Sequence, residues 1–69
     1  MNIEELNKRF TYHPPKNDQV ERYQTIRDVG KEFAKTIASF TPESREQSLA
    51  LTKLEECVMW ANAAIARNE

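Results

Sequence analysis

QVERYQTIRDVGKEFAKTIASF, running from Gln19 to Phe40, is the stretch that decides the fold. At about 100° per residue, Val20, Tyr23, Ile26, Gly30, Phe33, Ala34, Ile37 and Ala38 share one face of a helix, while Glu21, Asp28, Glu32, Lys35 and Ser39 take the opposite side. Arg27 falls among the apolar positions, one turn from Tyr23 and from Gly30, so a guanidinium is aimed at whatever that stripe packs against. Two readings stand. In one, Arg27 lays its methylenes along the edge of a core and carries its head to water. In the other it meets a planar anion, because its rigid fork of donors fits phosphate or carboxylate. Gly30 sharpens the question, since glycine inside a helix costs roughly 1 kcal/mol relative to alanine. Its place implies close approach of another backbone, room for a ligand, or plain tolerance of a weak helix former.

Downstream, Thr41-Pro42-Glu43 predicts a helix restart, with a threonine N-cap, proline at the first helical position and an acid in the first turn. The final helix then spans 42–67, with Ala50, Leu51, Leu54, Cys57, Val58, Ala61, Ala64 and Ile65 as its stripe. Trp60 and Leu49 extend one flank beside Arg67, and Cys57 reads as an inert core residue. A turn of two or three residues makes helices 19–40 and 42–67 antiparallel neighbours. A hairpin has one inner seam, and stripes this wide leave apolar surface that it cannot cover. The expected fold is all-α: a short N-terminal helix followed by a long antiparallel helical hairpin, one domain over residues 1–69, assembled into a compact homo-oligomer.

Upstream, residues 1–9 read as a short amphipathic helix capped by Asn2, with Glu4 and Glu5 at its positive end and Lys8 and Arg9 at its negative end. Residues 10–18 form an extended loop. Pro14 and Pro15 exclude helix and push His13 toward extended geometry, which holds Tyr12 and His13 on a stiff tether. These two side chains could contact a ligand or simply seal the end of the hairpin. Asn17 or Asp18 caps the long helix.

The chain has 69 residues, a net charge of -1, one Cys and one His. So short a chain buries little surface and ordinarily needs a disulfide, a metal or a partner subunit. A single Cys forms no intrachain disulfide, and one Cys with one His does not make a tetrahedral zinc site, which leaves oligomerisation. The balanced charge lacks the broad basic footprint of a protein that binds duplex nucleic acid. No apolar run approaches bilayer-spanning length and no signal-peptide pattern is present, so an intracellular protein with a reduced Cys57 is expected. Catalysis finds little support: His13 has no partner placed for a nucleophilic triad, no acids pair convincingly, and the lone glycine excludes phosphate loops and dinucleotide fingerprints. No catalytic residue, metal or cofactor is expected.

Phe10-Thr-Tyr-His-Pro-Pro, Arg22-Tyr23, Ile26-Arg27, Pro42-Glu43-Ser44-Arg45-Glu46 and the closing run Met59-Trp-Ala-Asn-Ala-Ala-Ile-Ala-Arg-Asn68 together resemble the phage anti-CBASS protein two family, whose hairpin domain is shared with a Thoeris anti-defence sponge. The resemblance spans almost the whole chain. It implies a phage protein in the cytoplasm of the infected bacterial host that sequesters cyclic oligonucleotide signals without cleaving them. It further implies a homohexamer with pockets for cyclic dinucleotides such as cyclic GMP–AMP between interlocked protomers, and separate pockets for cyclic trinucleotides. Carried over by position, Tyr12 and Arg27 are the principal dinucleotide contacts, with His13, Pro14 and Tyr23 beside them, while Arg67 and Asn68 belong to the trinucleotide pocket. Arg27 stands where the family is expected to carry lysine. The chemistry agrees with the residues: a cyclic dinucleotide offers two phosphates and two flat bases, to which an arginine and a tethered tyrosine are suited. The rival from another class is a small helical interaction module that docks on a host protein.

Overall fold

A computed structural model describes residues 1–69. It contains three helices and no strand: α1 (Ile3–Phe10), α2 (Gln19–Phe40) and α3 (Arg45–Asn68). α2 and α3 pack as an antiparallel hairpin. Asn2 caps α1 by accepting a hydrogen bond from the Glu5 amide at 2.7 Å.

The turn between the long helices differs from the expectation drawn from Thr41 and Pro42. α3 begins at Arg45, and its N-cap is Ser44, which accepts from the Gln47 amide at 3.1 Å. Thr41 instead closes α2, donating its hydroxyl to the Ile37 carbonyl at 2.6 Å. Gln47 reaches back over the turn to the Thr41 carbonyl and hydroxyl, at 3.1 and 3.0 Å. A hydroxyl at each end of the turn thus satisfies one helix terminus, and proline falls between the helices instead of inside one. At the start of α2, Asp18 occupies the cap position without a capping hydrogen bond. Its carboxylate pairs with Arg22 at 3.2 Å, and Asn17 takes the left-handed turn at φ 54.

The inner seam runs through Tyr23, Ile26, Ala34 and Ile37 of α2 and Leu51, Leu54, Val58 and Ile65 of α3, all half-buried. Gly30 lies at the crossing and is fully buried; a Cβ built there would stand 2.6 Å from Val58 Cγ2. What crowds this glycine is the Val58 side chain and not, as one of the readings of Gly30 has it, another backbone. Valine is stiff at χ1, so Val58 has little freedom to yield. Gly30→Ala should destabilise the fold by up to roughly 2 kcal/mol, because overpacking of about 1–3 kcal/mol opposes the ~1 kcal/mol gained in helix propensity. In a Val58→Ala background the same change should be neutral or favourable. Chemical denaturation of the four variants checks this, and equal effects in both backgrounds would refute it.

The hairpin leaves much of its apolar surface bare. No hydrophobic residue is fully buried, and Val29, Phe33, Phe40, Met59 and Trp60 are each more than half exposed. Two expectations fail in the protomer: Cys57 is exposed, not a core residue, and Val20, Phe33 and Ala38 lie outside the seam. The reason is geometric, since one helix covers only a narrow strip of its neighbour. Accessible surface is 5646 Å², roughly 1,100 Å² above that of a compact monomer of this mass. The molecule measures 45 × 30 × 12 Å, the thickness of a single helix with its side chains. No helix is long and apolar enough to cross a membrane.

Candidate functional site

The loop between α1 and α2 is tied down at both ends. His13 Nε2 lies 3.0 Å from the Lys8 carbonyl, to which the Nε2–H tautomer donates. Beyond the prolines, the Lys16 amide donates to the side chain of Gln19 at 3.1 Å, and Lys16 Nζ donates to the Glu69 carbonyl at 2.7 Å. Gln19, buried to 3% exposure, also donates to the Glu69 carboxylate at 3.2 Å. Arg22 grips that carboxylate with both terminal nitrogens, one of them at 2.8 Å. The loop is thereby folded back against the last turn of α3.

The same clamp sets the ionisation of its members. The hydrogen bonds from Arg22, and then from Gln19, hold the Glu69 carboxyl down at about 2 against an ordinary 4.5. Hydrogen bonding to Glu69 correspondingly raises the Arg22 guanidinium above its usual range. Because the folded value is depressed, the stabilisation from this pair is complete above pH 4.5 and is lost as pH falls toward 2. Carbon-detected NMR titration should place the Glu69 midpoint well below that of an unpaired glutamate, and Arg22→Gln should return it toward 4.5. An unshifted wild-type midpoint would rule out the clamp.

Anchored in this way, the loop brings four of the sequence-nominated residues together. Tyr12, His13, Tyr23 and Arg27 line an open groove of about 280 Å³ whose floor is Ala63 and Ala66 of α3. The small alanines leave room above the floor, and Asn62 completes it; its Oδ1 is buried without a hydrogen-bond partner. Tyr12 is 80% exposed, so its ring is free to stack. Arg27 is exposed and takes part in none of the five ion pairs, leaving its donors available to an anion. No acidic side chain lines this groove. The arrangement offers a cation, two phenols and an imidazole on one face, which suits an anion with flat rings.

Pro14 and Arg67 lie on a neighbouring groove of about 340 Å³ that also takes in His13, Lys16 and Glu69. Arg67 lies over Trp60 within cation–π range, its guanidinium carbon 5.8 Å from the ring centroid. Asn68 lines neither groove; it is exposed and its amide donates to the Ala64 carbonyl at 2.9 Å. A separate apolar groove of about 380 Å³, between Ile26, Val29 and Phe33 of α2 and Cys57 and Ala61 of α3, carries no charged group.

Sequence reasoning did not single out Asn62 or the Gln19–Arg22–Glu69 clamp. Arg22 and Asn62 do fall within the motif segments, which was the available signal. Nothing local marks Glu69, whose partner lies 47 residues away. A protein-family model described as Acb2/Tad1, hairpin domain matches residues 1–66. Comparison with curated proteins and with solved structures gives no match.

Proposed function

Because the chain belongs to the Acb2/Tad1 hairpin-domain family, we propose that it is a phage anti-defence sponge that binds host cyclic di- and trinucleotides without cleaving them and so keeps them from CBASS effectors. The observation that carries this reading is the convergence of Tyr12, His13, Tyr23 and an unpaired Arg27 on one acid-free groove. Arg27 would take a ring phosphate through its fork of donors, Tyr12 would stack on a base, and Tyr23 with His13 would border the ring.

The size of the groove bears on the assembly. At about 280 Å³ and open to solvent, it sits just below the 300–1,000 Å³ of sites that enclose ordinary small ligands. We read it as part of a pocket that a second copy would close. The bare apolar surface supports the same conclusion, and a homohexamer is the assembly proposed. The compartment that follows is the cytoplasm of the infected bacterial cell.

Incubating the protein with cyclic GMP–AMP, removing free ligand, then heat-denaturing and analysing the supernatant tests the function. Release of intact ligand is expected; cleaved product would indicate a hydrolase, and no uptake would favour the interaction-module reading. A finer expectation concerns Tyr12, for which base stacking contributes on the order of 1–3 kcal/mol. Tyr12→Ala should weaken cyclic GMP–AMP binding by roughly tenfold without changing the mass of the assembly, and unaltered affinity would return Tyr12 to sealing the hairpin.

A further inference from the structure

Trp60 is the one tryptophan of the chain, and 57% of it is exposed. It sits on α3 two turns before Arg67, whose guanidinium lies over its ring at 5.8 Å. Arg67 takes part in none of the five ion pairs. A cation–π contact draws on the charge of the guanidinium and takes up no hydrogen-bond acceptor. The contact therefore restrains a long side chain that has no ion-pair partner.

The surroundings of Arg67 favour an anion at its guanidinium. Its groove contains Lys16, His13 and Pro14, and its one acid is Glu69. The Glu69 carboxylate is already engaged by Arg22 and Gln19, so its charge is compensated from the far side. We propose that Trp60 is a positioning residue, which restrains the Arg67 guanidinium so that its donors, together with Lys16, meet a phosphate of the ligand taken by this second groove. Identifying that ligand as a cyclic trinucleotide rests on the sponge reading; the positioning of Arg67 does not.

The test uses the whole protein with two probes, cyclic triadenylate and cyclic GMP–AMP, and three forms: wild type, Trp60→Leu and Trp60→Phe. Trp60→Leu should weaken cyclic triadenylate binding by roughly three- to tenfold, the range expected from loss of a partly exposed cation–π contact. Cyclic GMP–AMP affinity and assembly mass should stay as in the wild type, and Trp60→Phe should recover part of the loss. In parallel, the side-chain NMR signals of Arg67 in the ligand-free protein should show a ring-current shift that disappears in Trp60→Leu and persists in Trp60→Phe. Unchanged triadenylate affinity in Trp60→Leu overturns the proposal. So does a fall in both affinities together, which would make Trp60 a packing residue, and so does the absence of a ring-current shift in the wild type. A wild type that shows the shift but binds no cyclic triadenylate would overturn the trinucleotide reading and leave the positioning of Arg67 standing.

Discussion

Arg27→Ala should bind cyclic GMP–AMP ten- to a hundredfold more weakly than the wild type while its assembly mass stays the same. The size follows from the exposed, unpaired state of Arg27 and from charge-assisted hydrogen bonds that contribute roughly 1.5–3 kcal/mol each. No acid in the protein depends on Arg27, so its removal strands no buried charge. Its loss should therefore read out in binding and not in stability. Because Arg27 is in no ion pair, binding at its guanidinium breaks none. Arg27→Lys should recover part of the affinity, since one ammonium retains the charge and loses the fork. Calorimetric titration of the three forms decides the matter: if Arg27→Ala binds as tightly as wild type, Arg27 is a surface arginine and the groove is not the ligand site.

Phe33→Asp should abolish the assembly and, with it, most of the helical content. Phe33 borders the apolar groove with Val29, Ile26 and Cys57 and is 55% exposed in the protomer. A carboxylate desolvated there without a partner costs several kcal/mol. A chain with no buried hydrophobic residue has little to set against that loss. Light scattering of the wild type should give a mass several times 8.1 kDa, with six copies expected, and its unfolding midpoint should rise with concentration. Phe33→Asp should run as a largely unfolded single chain, whereas Phe33→Leu should keep both mass and helicity. A monomeric, helical wild type at micromolar concentration would refute the assembly and the shared pocket together.

The helical hairpin was legible because periodicity reports directly on which residues share a face. Periodicity does not report how much of that face a neighbour covers. This is why Cys57 and Phe33 read as interior and are exposed in the protomer. The start of α3 was obscured by competing local signals: Thr41-Pro42 reads as a helix opening, but Ser44 takes that role once Thr41 is engaged with Ile37. Tyr12, His13, Tyr23 and Arg27 were each nominated from local chemistry or from resemblance, yet their meeting in one groove depends on the loop turning back over α3. That turn is enforced by Glu69 with Lys16, Gln19 and Arg22, contacts across about fifty positions that no local pattern encodes.

The slab is 12 Å thick and has no interior, which carries a consequence for timing. Under the assembly proposed above, a chain that folds on meeting its copies would gain function with a power of its concentration higher than the first. Freshly synthesised chains would be nearly inert at low abundance, and capture of signal would then set in steeply over a narrow rise in expression. On the proposed reading, the concentration at which copies meet would set the onset of ligand capture as much as the affinity of each pocket does.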